Sequence, residues 1–245
     1  MSGRSPGEQR LIGQTVVVLG GSSGIGLATA RRARQEGADL IVTAREPDRL
    51  SRIGRELDAS VSAFDLSDAD RLISFFADLP EPVDHVLMSG AGPHYMSFAE
   101  LDIGKIRHGV ERIVLSVHVG RLAKDAVQPT GSLTLIGGTT GRRPSVGPLI
   151  SAVTAAVPAL ARSLALELAP IRVNVIAPGF VDTPLSAAIL GAELDTRREQ
   201  LRATLPIRRV VTAPDVAALA VDLMTNSAVT GATFDIDGGQ QLVEG

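Results

Sequence analysis

The sequence predicts an α/β fold: one doubly wound parallel sheet of about seven strands with helices on both faces. Three observations carry this expectation. Short apolar or β-branched runs alternate with helix-length stretches along the whole chain, the pattern of right-handed βαβ crossovers. A glycine cluster follows the first apolar run and leads directly into the first helical stretch. No linker, composition break or internal repeat divides the 245 residues, and 44% hydrophobic content suffices for one substantial core.

Each element has its own signal. Residues 15–19 (TVVVL) form a continuous β-branched run, as expected for a strand buried on both faces. A helix over 25–36 is closed by Gly37, and 40–43 (LIVT) is the second strand. Pro47 and Asp48 supply the start of a helix over 47–57. After strand 60–64, Ser67 and Asp68 open a helix over 68–78. Strand 83–88, a long helix over 103–127 and strand 132–136 follow. The run between Arg143 and Arg162 is uncharged but holds Pro144, Gly147, Pro148 and Pro158. It reads as a loop plus a buried helix over 150–168, not a membrane span. Pro158 cannot donate to the preceding turn, which predicts a kink or local unwinding near 154–158. Strand 171–176, helix 214–224 and strand 232–236 complete the series.

Composition excludes several functions. Net charge is −3, and the basic residues are scattered arginines apart from Lys105 and Lys124, so neither nucleic acid nor an anionic membrane is an expected partner. Cysteine is absent, which removes disulfides, thiolate ligands and thiol nucleophiles and fits a reducing compartment. No His/Asp/Glu set has metal-ligand spacing, so no metal is expected. Residues 1–10 lack an apolar segment and read as a flexible tail, leaving 11–245 as a single domain of a soluble, cytoplasmic protein.

The glycine cluster is Gly20, Gly24 and Gly26, with Ser22, Ser23 and Ile25 between them. Glycines between a strand and a helix let the backbone approach a pyrophosphate, whose charge sits on the helix N-terminus. The second strand ends in Thr43-Ala44-Arg45, with no acid to hold a ribose 2′-hydroxyl until Glu46. Arg45 can meet a 2′-phosphate, and Ser22 and Ser23 are neutral donors, so NADP(H) is expected over NAD(H).

These motifs, in this order, resemble the short-chain dehydrogenase/reductase family, and the likeness runs from residue 14 to 239. The spacing Gly-x-x-x-Gly-x-Gly is that family's form of the dinucleotide loop, and a Rossmann-like fold follows from the resemblance. It implies that Asp65 and Leu66 read the adenine and that Ser89, Gly90 and Ala91 approach the ribose. Pro178, Gly179, Val181 and Thr183 match the segment that holds the nicotinamide carboxamide, through the Val181 backbone and the Thr183 hydroxyl. Residues 184–206 stand where the family has a substrate lid. Homo-oligomers, dimers or tetramers, are expected through the helices 103–127 and 150–168 and the last strand.

The family's proton-handling residues are not matched. Ile150 and Thr154 stand where it has Tyr-x-x-x-Lys, and the sole tyrosine, Tyr95, is followed four residues later by Ala99. Gly137 and Gly138 stand at the serine position, and the only asparagines are Asn174 and Asn226, neither in the long helix. The catalytic residues are therefore unknown. His94 and Tyr95, and then Thr139, Thr140, Arg142 and Arg143, lie at the sheet edge where ligands bind and are the substitutes to consider. His85, His108 and His118 are expected in core or surface roles.

Three functions stay open. The first is an NADP(H) oxidoreductase acting on a small carbonyl or alcohol with a displaced proton donor. The second is a catalytically silent, NADP(H)-binding scaffold or regulator. The third is a lyase or isomerase that uses the pocket without redox change.

Overall fold

The computed structural model describes residues 9–80, 82–90, 92, 95–142 and 147–243. Nine strands and eight α-helices are assigned among them. In chain order the elements are β1 (Thr15–Leu19), α1 (Gly24–Gln35), β2 (Asp39–Ala44), α2 (Pro47–Leu57), β3 (Ser60–Ala63), α3 (Ala69–Ala77) and β4 (Val83–Met88). There follow α4 (Ile103–Ala126), β5 (Val127–Ile136), α5 (Pro148–Glu167), β6 (Arg172–Pro178), β7 (Val181–Asp182), α6 (Pro184–Leu190), α7 (Leu194–Thr204), β8 (Val211–Thr212), α8 (Ala213–Thr225) and β9 (Thr233–Ile236). Seven strands form one parallel sheet in the order β3-β2-β1-β4-β5-β6-β9, and β7 pairs with β8 in a small second one.

Alternation along the strands builds two cores. Val16 and Val18 of β1 pack with Leu40, Val42, Ala30, Leu50 and Val216 on the α1/α2/α8 face. Val17 and Leu19 pack with Val86, Leu133, Phe75, Val119 and Val157 on the α3/α4/α5 face. Covering both faces demands apolar residues at every position, which is why TVVVL shows no polar alternation.

The helix boundaries follow capping chemistry. Asp68 accepts a hydrogen bond from the Arg71 N–H and starts α3, and Gly37, at φ 90°, follows the end of α1. Arg172 donates to the carbonyls of Leu223 at 2.6 Å and Met224 at 2.7 Å, satisfying the C-terminus of α8 from the neighbouring strand. Gln9 and Arg10, assigned to the tail by sequence, are anchored instead. Gln9 donates to the Gln35 carbonyl, and Arg10 bonds both Glu36 and Asp222. Residues 1–8 lie outside the described residues.

Two sequence expectations shift. The fifth strand begins at Val127, not 132, because its register against β4 slips between Val83 and His85 and the QPTG segment bulges there; Pro129 and Gly131 erase the strand signal. The helix over Pro148–Glu167 is assigned without a break through Pro158, so the expected unwinding is absent. Pro158 removes only the bond to the Thr154 carbonyl, and packing of Val157, Ala161 and Leu164 into the core holds the helix together. This helix is long and apolar enough to cross a membrane, but its apolar side faces the sheet and α4.

One buried group links the fold to pH. His85 in β4 is 3% exposed; its Nε2 donates to Gln14 Oε1 at 2.8 Å and its Nδ1 accepts from the Ser132 hydroxyl at 2.9 Å. Burial, then the positive charge of Arg172, pushes its pKa down to about 3 from 6.5. The unfolded chain therefore binds a proton that the folded chain refuses between those two values. Stability is full above pH 6.5 and falls as the pH drops toward 3. Urea denaturation is expected to give about 2 kcal/mol less stability at pH 5 than at pH 7. His85→Gln is expected to remove most of that difference; an unchanged slope would refute the assignment.

Candidate active site

The sheet order reverses at β1, whose neighbours β2 and β4 carry their crossovers to opposite faces, so a crevice opens at the carboxyl ends of β1 and β4. The cleft there measures about 910 Å³. Its floor is set by glycine contacts. Gly20 has φ 85°, and a Cβ on it would lie 2.6 Å from the backbone N and Cα of Gly90. A Cβ on Gly90 would reach within 2.4 Å of Leu66 Cδ1, and one on Gly26 within 2.2 Å of the Gly20 carbonyl oxygen. Three turns, after β1, β3 and β4, thus meet at van der Waals limits. The Gly20 and Gly21 N–H groups donate to the Thr43 carbonyl, while those of Ser89 and Gly90 donate to the Leu19 carbonyl.

Of the residues expected to hold the cofactor, Gly20, Ser22, Ser23, Gly24, Ile25, Arg45, Asp65, Leu66, Ser89, Gly90, Pro178, Gly179, Val181 and Thr183 all line this cleft. Gly26 does not; it packs beneath the loop against Gly20. Ala91 and His94 lie outside the described residues. Ser23 begins α1 without capping it by its side chain, and the first turn holds no acid, so the helix start keeps N–H groups for an anion. Arg45 is exposed at the rim, 3.9 Å from Asp65. The Asp65 carboxylate accepts from the Ser67 N–H and hydroxyl, which hold it below the usual carboxylate range with a smaller pull from Arg45.

The Pro178–Thr183 segment is braced from behind. Gln240 Oε1 accepts from the Phe180 N–H at 2.9 Å, and Asp237 accepts from the N–H groups of Gly239 and Gln241. Any side chain at Gly179 would strike Gln240 and Asp237. Thr183 caps α6 by accepting from the Ser186 N–H at 3.3 Å while lining the cleft. Residues 184–206 form α6 and α7; Leu185, Ser186, Ile189, Leu190 and Arg197 face the cleft, and Leu201 and Leu205 anchor a small core with Val210. Arg198 joins α7 to this segment by two bonds to Asp182, at 3.0 and 2.7 Å.

At the opposite wall the side chains are mostly apolar. Leu149, Ile150, Val153 and Thr154 of α5 face the cleft. Thr154 Oγ1 donates to the Ile150 carbonyl at 2.7 Å and lies 2.9 Å from Thr140 Oγ1. Thr139 is 4% exposed, with its N–H on the Pro178 carbonyl, and Arg142 is bidentate to Asp235. Arg143 lies outside the described residues.

Tyr95 also faces the cleft; it is 44% exposed, yet desolvation raises its phenol above the ordinary value against the pull of Arg112. Sequence reasoning passed over Arg112 and assigned His108 no site role, although both line the cleft from α4 with Glu111; His108 Nδ1 is 2.9 Å from Glu111. The Arg112 guanidinium is removed from water deeply enough that burial lowers its pKa to about 10, with Tyr95 opposing. A signal existed: Arg112 precedes the buried Leu115, Ser116, Val119 and Ala123 by 3, 4, 7 and 11 residues, a cation on a helix's core-facing stripe. Gly109 one turn earlier touches Leu149, since a Cβ there would lie 2.5 Å from Leu149 Cδ2, so Arg112 enters the cleft at the Leu149–Ile150 end.

Comparison with known proteins agrees with this architecture. A family profile described as enoyl-(acyl carrier protein) reductase matches residues 20–241. A short-chain dehydrogenase/reductase of Stachybotrys chlorohalonatus is 30% identical over 94% of this chain and 98% of its own. The reductase/Diels-Alderase MalC of Malbranchea aurantiaca superposes with TM-score 0.86 at 26% identity, over 96% of this chain and 99% of that one. The structure of BdcA in complex with NADPH superposes with TM-score 0.83 at 29% identity, covering 94% and 95% of the two chains.

The glycine contacts give a stability test. Gly13→Ala places a methyl group at φ 72° with nothing within 4 Å and is expected to cost about 1–2 kcal/mol from backbone conformation alone. Gly20→Ala adds the collision with Gly90 and is expected to cost at least ~2 kcal/mol more in urea unfolding. Equal costs would show that the turns separate freely.

Proposed function

The chain belongs to the short-chain dehydrogenase/reductase family, and on that premise we propose that it is an NADP(H)-dependent oxidoreductase of a small carbonyl or alcohol, with an atypical proton-handling site. The observation that carries this reading is the meeting of the Gly20, Leu66 and Gly90 turns below an uncapped helix start, in the same cleft as the braced Pro178–Thr183 segment. The glycine cradle fits a dinucleotide because Gly20, Gly26 and Gly90 have no room for a Cβ, and Gly24, at φ 53°, holds a backbone conformation that favours glycine. The NADPH complex of a similar chain supports the same cofactor.

In this reading the Gly20–Gly26 loop and the first N–H groups of α1 hold the pyrophosphate. Asp65 and Leu66 hold the adenine, while Ser89, Gly90 and Ala91 meet the ribose. Arg45 with Ser22 and Ser23 takes the 2′-phosphate; its weak rim contact to Asp65 is easily exchanged for a phosphate. The Val181 backbone and Thr183 hold the carboxamide. When bound, the cofactor supplies or takes up a hydride at its nicotinamide.

The chain's own residues do the rest. Leu149, Ile150, Val153, Leu185 and Ile189 exclude water and accept an apolar substrate body. Arg112, with Tyr95 beside it, orients the carbonyl and stabilises negative charge on its oxygen, an interaction strengthened by the low-dielectric setting. Ile150 and Thr154 replace the family's tyrosine and lysine, and Gly137 or Gly138 its serine, so the proton comes from elsewhere. Pairing of two copies through α4 and α5 is part of the same reading, supported by the exposure of Val114, Val117 and Leu166.

Calorimetric titration is expected to show NADPH binding at least tenfold tighter than NADH. Arg45→Ala is expected to remove that margin while leaving NADH affinity within about twofold, and equal affinity of the unaltered protein for both would overturn the assignment. With a β-ketoester as probe, Arg112→Met is expected to lower kcat/KM for NADPH-dependent reduction about 10²–10³-fold, and Arg112→Lys less. An unchanged kcat/KM in Arg112→Met would remove Arg112 from the reacting end.

A further inference from the structure

We propose that the hydroxyls of Thr140 and Thr154 form a proton relay from a second cavity into the cleft, with Thr140 as the proton donor to the substrate oxygen. The proposal rests on the oxidoreductase reading above and deepens it. Behind the cleft lies a second cavity of about 360 Å³, lined by Gly138, Thr154, Ala155, Pro158 and Arg162 among others. Gly138 and Thr154 line both spaces, so they are the partition between them. Ala155 and Arg162 are exposed, which opens the rear cavity to solvent, and its volume is about ten times the share of one liquid water.

The partition carries a continuous pair of exchangeable protons. Thr140 faces the cleft, its Oγ1 is 2.9 Å from Thr154 Oγ1, and Thr154 reaches the rear cavity. Of the four α5 residues on the cleft, Leu149, Ile150 and Val153 carry no exchangeable side-chain proton, and only Thr154 does. Gly137 and Gly138 at the end of β5 are bare. The Thr154 hydroxyl also has three acceptors within reach, the Ile150 carbonyl at 2.7 Å, Thr140 Oγ1 at 2.9 Å and the Ser151 carbonyl at 3.3 Å. A hydroxyl rotor with alternative acceptors can pass its proton forward and reset. The pair stands beside Pro178, whose carbonyl would be 3.9 Å from a Cβ on Gly138, and so beside the segment assigned to the nicotinamide.

With the hydride supplied to the carbonyl carbon by bound NADPH as reductant, the C=O π pair would move onto oxygen, which would take the proton from Thr140 Oγ1. The Thr154 proton moves to Thr140 Oγ1, and water in the rear cavity reprotonates Thr154, leaving hydroxide that bulk buffer neutralises. One hydride and one solvent proton are consumed per alcohol formed. Thr140 is the catalytic residue, and Thr154 is a positioning residue that acts through it.

The test uses the full chain with NADPH and ethyl acetoacetate, and a crystal structure of the NADP⁺ complex. Ordered water in the rear cavity within hydrogen-bond distance of Thr154 Oγ1 is expected, as is at least a tenfold loss of kcat in Thr140→Val and Thr154→Val, with NADPH affinity unchanged. Thr154→Ser is expected to restore the rate. The unaltered protein is expected to show a solvent deuterium isotope effect with a curved proton inventory, which Thr154→Val makes linear. Ala155→Leu, which fills the rear cavity and leaves both hydroxyls in place, is expected to slow turnover likewise. Unchanged kcat and isotope effect in Thr154→Val, or a rear cavity without water at Thr154, would overturn the relay and leave the cofactor reading standing. Failure of the unaltered protein to bind or oxidise NADPH would bring down both.

Discussion

Gly20 approaches Gly90 so closely that it has no room for a Cβ, Leu66 leaves none at Gly90, and much else in the molecule depends on that meeting. It lies where the sheet changes direction, between the ends of β1 and β4, and Leu66 closes on it from the end of β3. Such an approach requires a left-handed turn at Gly20 and a bare Gly26 beneath its carbonyl. It also requires parallel strands in register, so that the Leu19 carbonyl can accept from both Ser89 and Gly90. The two cores, one on each face of the sheet, hold that register. Stability in the core thereby becomes geometry at the cleft.

Charge within the cleft is distributed unevenly. The rim at Arg45 and Asp65 is solvated, where attraction is weak and exchangeable. The far end places the half-buried guanidinium of Arg112 in the cleft that Leu149, Ile150 and Val153 also line. Burial lowers its pKa, and partial removal from water strengthens its attraction for negative charge nearby. Ile150 and Thr154 on one wall and Arg112 on the other therefore give the cleft an apolar side and a cationic side.

Much of this was legible in the sequence. Strands with near-continuous apolar or β-branched runs, such as TVVVL and LIVT, declare burial on both faces, and the capping residues Asp68 and Gly37 mark helix ends by local chemistry alone. That the expected residues would line one cleft was legible because most of them are tied to strand ends. What escaped notice depends on distant chain. Pro158 signals a break locally, but the core packing of Val157 and Ala161 outweighs it. Gln240 is an ordinary polar residue until the fold sets it against Phe180. Arg112 sits on the core-facing stripe of α4, a pattern conflict that becomes a site only when Tyr95 and Leu149 are brought to it.

Helices α6 and α7 have one root. Thr183 caps α6, and Arg198 ties α7 to Asp182, so both helices are fastened to the strand-end segment that also borders the cleft. Whatever steadies that segment therefore also steadies the cleft-facing side chains of Leu185, Ser186 and Ile189, because the helix that carries them shares its anchor.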